Sequence, residues 1–93
     1  MGFNERVIIM ELHNTIHLMD SSNFEDRFKA EWYQLKIRTE KLEIMLEKYK
    51  ANTLAFTPKC TYEMLYEQLV CMKHYLCVLE RRAKVENIPL EDL

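Results

Sequence analysis

A chain of 93 residues with a formal net charge of −2 has room for one domain and no overall attraction for nucleic acid or an anionic membrane. One Gly and two Pro are too few turn-formers for a β-rich fold, while 48% hydrophobic residues are too many for simple disorder. Few, long helices satisfy both limits, and the expectation is a single all-α domain over residues 1–93.

The opening run is broken by Glu5, Arg6 and Glu11, unlike a signal peptide, and Arg6 stands where a myristoylation motif needs Ser or Thr. No stretch approaches the ~18 uncharged apolar residues of a membrane span. Cys60, Cys71 and Cys77, an odd number, fit a reducing compartment. The expected location is the cytoplasm, with no membrane partner.

The first predicted helix covers about residues 4–19. Ile9, Leu12, Ile16 and Met19 repeat at helical spacing, and Val7-Ile8-Ile9-Met10 widens the stripe. Asp20-Ser21-Ser22-Asn23 ends it, since these side chains compete for backbone hydrogen bonds.

The second, about 23–51, opens on a capping box between Ser22 and Glu25, with Asp26 favourable to the helix dipole. Phe28, Trp32, Leu35, Thr39, Leu42, Leu46 and Tyr49 then form a heptad seam with one polar member. The third, about 58–87, starts at Thr57-Pro58, a hydroxyl cap followed by proline at the first helical position. Its seam is Tyr62, Leu65, Leu69, Met72, Leu76, Leu79 and Ala83, and Pro89 with its restricted neighbour Ile88 stops it near Asn87.

Two matched seams and a short loop make an antiparallel helical hairpin, each arm roughly 40 Å long, with opposed residue numbers summing to about 110. That register sets Trp32 against Val78 and brings Glu25 and Asp26 towards Lys84. The third helix also carries Tyr66, Val70, Cys71, Tyr75, Cys77 and Val78, more apolar surface than one partner covers. The expectation is a homo-oligomer, an oligomeric helical bundle assembled through the first and third helices.

The run Leu35-Lys36-Ile37-Arg38-Thr39-Glu40-Lys41-Leu42-Glu43 is followed, after the loop, by Gln68-Leu69-Val70-Cys71-Met72-Lys73-His74-Tyr75-Leu76 and by Glu80-Arg81-Arg82-Ala83. Over residues 32–88 this resembles the small helical accessory proteins of tailed bacteriophages of the crAss-phage-related type. The resemblance implies a phage gene acting in the host cell cytoplasm, and it brings no catalytic residues.

No constellation for catalysis stands out. His13 and His17 have the spacing of a two-histidine metal grip but lack the intervening glutamate. Polar histidines beside an apolar stripe are the commoner case, so no metal or other cofactor is expected. Cys71, His74 and Cys77 lie a turn apart on an apolar helix, where thiols are usually inert. Glu40, Glu43 and Glu47 read as helical ion pairs with neighbouring lysines.

Two basic clusters remain. Lys48, Lys50 and Lys59 surround the hairpin loop, with no acid between Lys48 and Lys59, and Tyr49 and Tyr62 stand ready to stack a base. Arg81, Arg82 and Lys84 close the third helix, where cations also suit the carbonyl end. Two readings follow: a non-catalytic counter-defence protein that sequesters a nucleotide immune signal, or a structural adaptor that docks on and blocks a host or phage protein. Near-neutral charge places nucleic acid behind both.

Overall fold

Asn23 starts the longer of two helices. Its side-chain oxygen accepts from the amides of Glu25 at 2.7 Å and Asp26 at 3.3 Å, two of the donors that a helix start leaves unpaired. In a computed structural model, which describes residues 11–90, the chain runs through a 3-10 turn at Leu12–Thr15 and α1 (Ile16–Met19), then α2 (Phe24–Lys50) and α3 (Tyr62–Glu86). The protein is all-α, and α2 and α3 pack as the expected antiparallel pair.

The cap differs from the Ser22–Glu25 box. Asn23 takes the capping position, and Ser21 supports it by donating its hydroxyl to Asp26 at 2.8 Å and accepting at its carbonyl from Arg27. At the other end of α2, Ala51-Asn52 closes the helix where the sequence placed it. Asn52 is left-handed (φ 62°), Thr53 N–H reaches Lys48 C=O at 2.9 Å, and Asn52 N–H reaches Tyr49 C=O at 3.1 Å. This paired closure recurs after α3. Asn87 is left-handed (φ 58°), and Ile88 N–H reaches Ala83 C=O at 2.9 Å. Asparagine tolerates this geometry better than other residues with a side chain, and here it serves where glycine is usual.

The third helix begins at Tyr62 rather than at Pro58. Thr61 is its cap, accepting from the Met64 amide at 3.2 Å, and Thr57-Pro58 stays in the loop. Either threonine suits a cap locally, and the structure uses the later one.

The first segment departs most from expectation. Residues 4–10 of the first expected helix lie outside the described residues. Beyond them, Asn14 accepts from the Glu11 amide and Thr15 donates to Leu12 C=O at 2.7 Å, so side chains hold a 3-10 turn followed by one α-helical turn. Its buried face is also rotated from the predicted stripe. Thr15 is fully buried and receives Gln34 Nε2 at 2.9 Å, whereas Ile16 and Met19 are about half exposed.

At 100° per residue, α2 has two nearly opposite contact faces. Phe28, Trp32, Thr39 and Leu46 face α3. Ala30 and Ile37 lie on the opposite face, towards the N-terminal segment, which Lys41 and Glu11 tie down at 3.2 Å. The segment thus packs in cis, on the far side of α2 from α3. Phe28, Trp32, Tyr33, Leu79, Ala83 and Ile88 form the main core. The closure at Asn87 folds Ile88 back onto this core. Leu69, Leu79 and Ala83 are the buried residues of α3, whose outer side is left uncovered.

Candidate functional site

The antiparallel register puts the predicted tyrosines together at the hairpin tip. Tyr49, in the last turn of α2, meets Tyr62, at the start of α3, edge-on with ring centroids 5.5 Å apart. Tyr62 in turn stacks on Tyr66 at 6.2 Å and 12°. Such pairs are worth ~0.5–1.5 kcal/mol beyond the area they bury, so the aromatic run also clamps the loop.

Beside Tyr49 lies a cleft of about 220 Å³ lined by Tyr49, Asn52, Leu54, Phe56, Thr57 and Pro58. The cleft exists because Asn52 turns the chain sharply and Thr57-Pro58 remains loop. Phe56 is largely exposed, so the cleft offers aromatic surface to solvent. The three lysines named from sequence do not line it, but each is bonded to a residue that does: Lys48 and Lys50 flank Tyr49, and Lys59 follows Pro58. Lys48 and Lys50 also occupy the carbonyl end of α2, where their charge is favoured. Phe56 was missed in sequence; a lone aromatic between Ala55 and Thr57 gives no periodic signal.

The second basic cluster is divided by the helix that carries it. Arg82 pairs with Glu86 at 3.0 Å and lies over the Phe28 ring at 5.0 Å, on one shoulder of the hairpin. Lys84 belongs to the opposite shoulder. There Trp32, Lys36, Glu80, Ala83, Lys84, Ile88 and Leu90 line a cleft of about 390 Å³. Arg81 is exposed on the outer side. Among the described residues, Glu25 and Asp26, expected to approach Lys84, form no ion pair with it, and Asp26 instead accepts from the Ser21 hydroxyl. The acids beside this cluster are Glu80 and Glu86, from α3 itself.

The Trp32 cleft was not foreseen as a site. Trp32 is only 3% exposed and belongs to the core, as expected, and it also lines the cleft. Lys36 sits over that ring, 5.5 Å from its centroid. Glu80 occupies the same cleft and opposes an anion there, so the tip cleft, whose lining carries no acid, is the better candidate for anionic ligands. Between the two clefts, Lys73 bonds Glu43 at 2.7 Å, and that hydrogen bond holds the Lys73 amine above its ordinary value.

His13 and His17 are exposed, and among the described residues no three His, Cys, Asp or Glu side chains gather as a metal site. Cys60, Cys71 and Cys77 are exposed free thiols. Among the described residues no helix is long and apolar enough to cross a membrane.

A family model described as Sequestin matches residues 22–85, which takes in all of α2 and α3 but for the final residue of α3. The match therefore includes the whole hairpin tip and stops short of Glu86, Ile88 and Leu90 on the shoulders. No curated protein and no solved structure matches the chain.

Proposed function

We propose, from the premise that this chain belongs to the Sequestin family, that it works by binding rather than catalysis, capturing a small anionic ligand and withholding it from its receptor. The family name denotes sequestration, which agrees with the lack of a catalytic constellation in the sequence. The ligand class is a nucleotide immune signal, and the setting is a phage-encoded protein acting in the host cytoplasm. The observation that carries this reading is the hairpin tip. Tyr49 and Phe56 offer aromatic faces in one cleft, and Lys48, Lys50 and Lys59 adjoin it with no acid between Lys48 and Lys59 in sequence. A base stacks on the rings while phosphates meet the ammonium groups.

Sequestration needs no turnover. It requires protein in excess of signal and a dissociation constant below the signal's working concentration. Each charge-assisted contact to phosphate contributes ~1.5–3 kcal/mol, so removing two weakens binding by about two orders of magnitude or more.

The test is calorimetry with a panel of cyclic di- and trinucleotides and ADP-ribose derivatives, repeated with Lys48→Ala/Lys59→Ala. Binding tighter than about 10 μM, roughly −7 kcal/mol, that collapses in the double variant supports the reading. Failure of the whole panel to reach that affinity rejects it in favour of protein docking. The docking reading draws on the apolar side chains that α3 leaves exposed, Met64, Tyr66, Val70, Tyr75 and Val85.

A further inference from the structure

The third helix carries a second seam. Met64, Gln68, Cys71, Tyr75, Val78, Arg82 and Val85 repeat at 4-3-4-3-4-3, about a third of a turn round the helix from the seam that meets α2. Most of it faces water: Val85 is 82% exposed, Met64 61% and Tyr75 44%, and Cys71 is exposed too. The described part of the N-terminal segment, residues 11–19, packs on α2 and does not cover it. A groove of about 290 Å³ between Val78, Arg81, Arg82, Val85 and Glu86 opens at its C-terminal end.

We infer that a second copy of this chain covers this seam, α3 against α3, antiparallel about a two-fold axis near His74. Three features select that occupant. The spacing persists over three heptads, roughly 32 Å of helix, which is the signature of a partner helix and not of a small ligand. The seam is flanked by Glu67 towards its start and Arg81 towards its end, and among the described residues neither has an ion-pair partner within the chain. Antiparallel pairing sets Glu67 of each copy against Arg81 of the other, twice by symmetry, whereas parallel pairing sets like charges together. The same register brings Met64 of the second copy to the groove beside Arg82 and Val85, and Cys71 against Tyr75.

The shoulder is already shaped for this. Tyr75 donates to Glu31 and Arg82 is held by Glu86 and the Phe28 ring, so the side chains at the contact are ordered by the hairpin before a partner arrives. The inference stands without the ligand reading, because the tip and the seam share no residue.

Sedimentation equilibrium over about 1–100 μM tests it at a concentration range suited to a standard small interface. The wild-type chain is expected to dimerise, and Val85→Glu to be monomeric with unchanged helicity by circular dichroism. Glu67→Arg and Arg81→Glu should each weaken the dimer about tenfold or more, since two pairs become repulsive at once. The combined Glu67→Arg/Arg81→Glu chain should recover to within about threefold of wild type. A wild-type monomer at about 100 μM, or a dimer indifferent to Val85→Glu and to the charge reversals, overturns the inference. Calorimetry at the tip is a separate readout, so either idea fails without the other.

Discussion

The indole nitrogen of Trp32 donates to a carboxylate oxygen of Glu80 at 3.1 Å, joining α2 to α3 across 48 positions of sequence. It satisfies the one polar atom of an otherwise buried ring, and it lies in the same register as the Arg82–Phe28 and Tyr49–Tyr62 contacts. Hydrogen bond and packing contribute separately, and substitution separates them. Trp32→Ala should cost ~3–5 kcal/mol as a large-to-small core change. Glu80→Leu strands the indole N–H and should cost ~1 kcal/mol, at the low end because Glu80 is exposed, while Glu80→Gln retains an acceptor and should be near neutral. Urea denaturation of the three variants checks the order.

The start of α2 distinguishes two capping residues. Asn23→Ala removes the acceptor of the Glu25 and Asp26 amides and should cost ~1 kcal/mol. Ser22→Ala should change stability by less than ~0.5 kcal/mol, since Ser22 is an exposed residue outside the cap. Equal losses in thermal melts of the two variants would contradict the assignment of the cap to Asn23.

Both left-handed asparagines should accept glycine. Asn52→Gly and Asn87→Gly remove a side chain from φ near 60° and are expected to hold or raise stability by up to ~1 kcal/mol. Asn87→Val should lower it, because a β-branched residue resists that geometry and the turn that buries Ile88 depends on it.

The Lys73–Glu43 pair gives a pH prediction with a definite sign. The folded amine holds its proton more tightly than the ordinary value of 10.5, owing first to its hydrogen bond with Glu43. Its contribution is therefore present in full below that value and is lost as pH rises through the higher folded value. Both side chains are substantially exposed, so screening keeps the effect small. Lys73→Met should shift the melting temperature little at neutral pH, and should flatten whatever loss wild type shows on the alkaline side.

At the tip, Tyr49→Ala should weaken the calorimetric affinity for a nucleotide by removing a stacking face, ~1–3 kcal/mol per base contact. Tyr49→Phe keeps the ring and should bind nearly as wild type. A Tyr49→Ala chain that stays folded and binds as wild type would remove the cleft from the site.

The heptad seams, the near-absence of glycine and the terminal proline were enough to establish two long helices, their antiparallel pairing and the burial of Trp32 and Leu79. These are repeated signals, and a seam of seven residues averages out any single ambiguous position. Where one residue decides, local chemistry was degenerate. Ser22 and Asn23 are both good caps, as are Thr57 and Thr61, and a local motif does not choose between them; the structure uses Asn23 and Thr61. The buried face of the N-terminal segment, with Thr15 inside and Ile16 outside, also depended on a partner, Gln34, nineteen positions away. Lys48, Lys50 and Lys59 were named from their places around the loop, and each is bonded to a residue that lines the cleft without lining it itself. The division of Arg81, Arg82 and Lys84 among three sides of the hairpin was decided by the 100° step of the helix against its neighbour. The clefts beside Tyr49 and Trp32 belong to the tertiary structure alone, for a concavity is made by how separate segments meet.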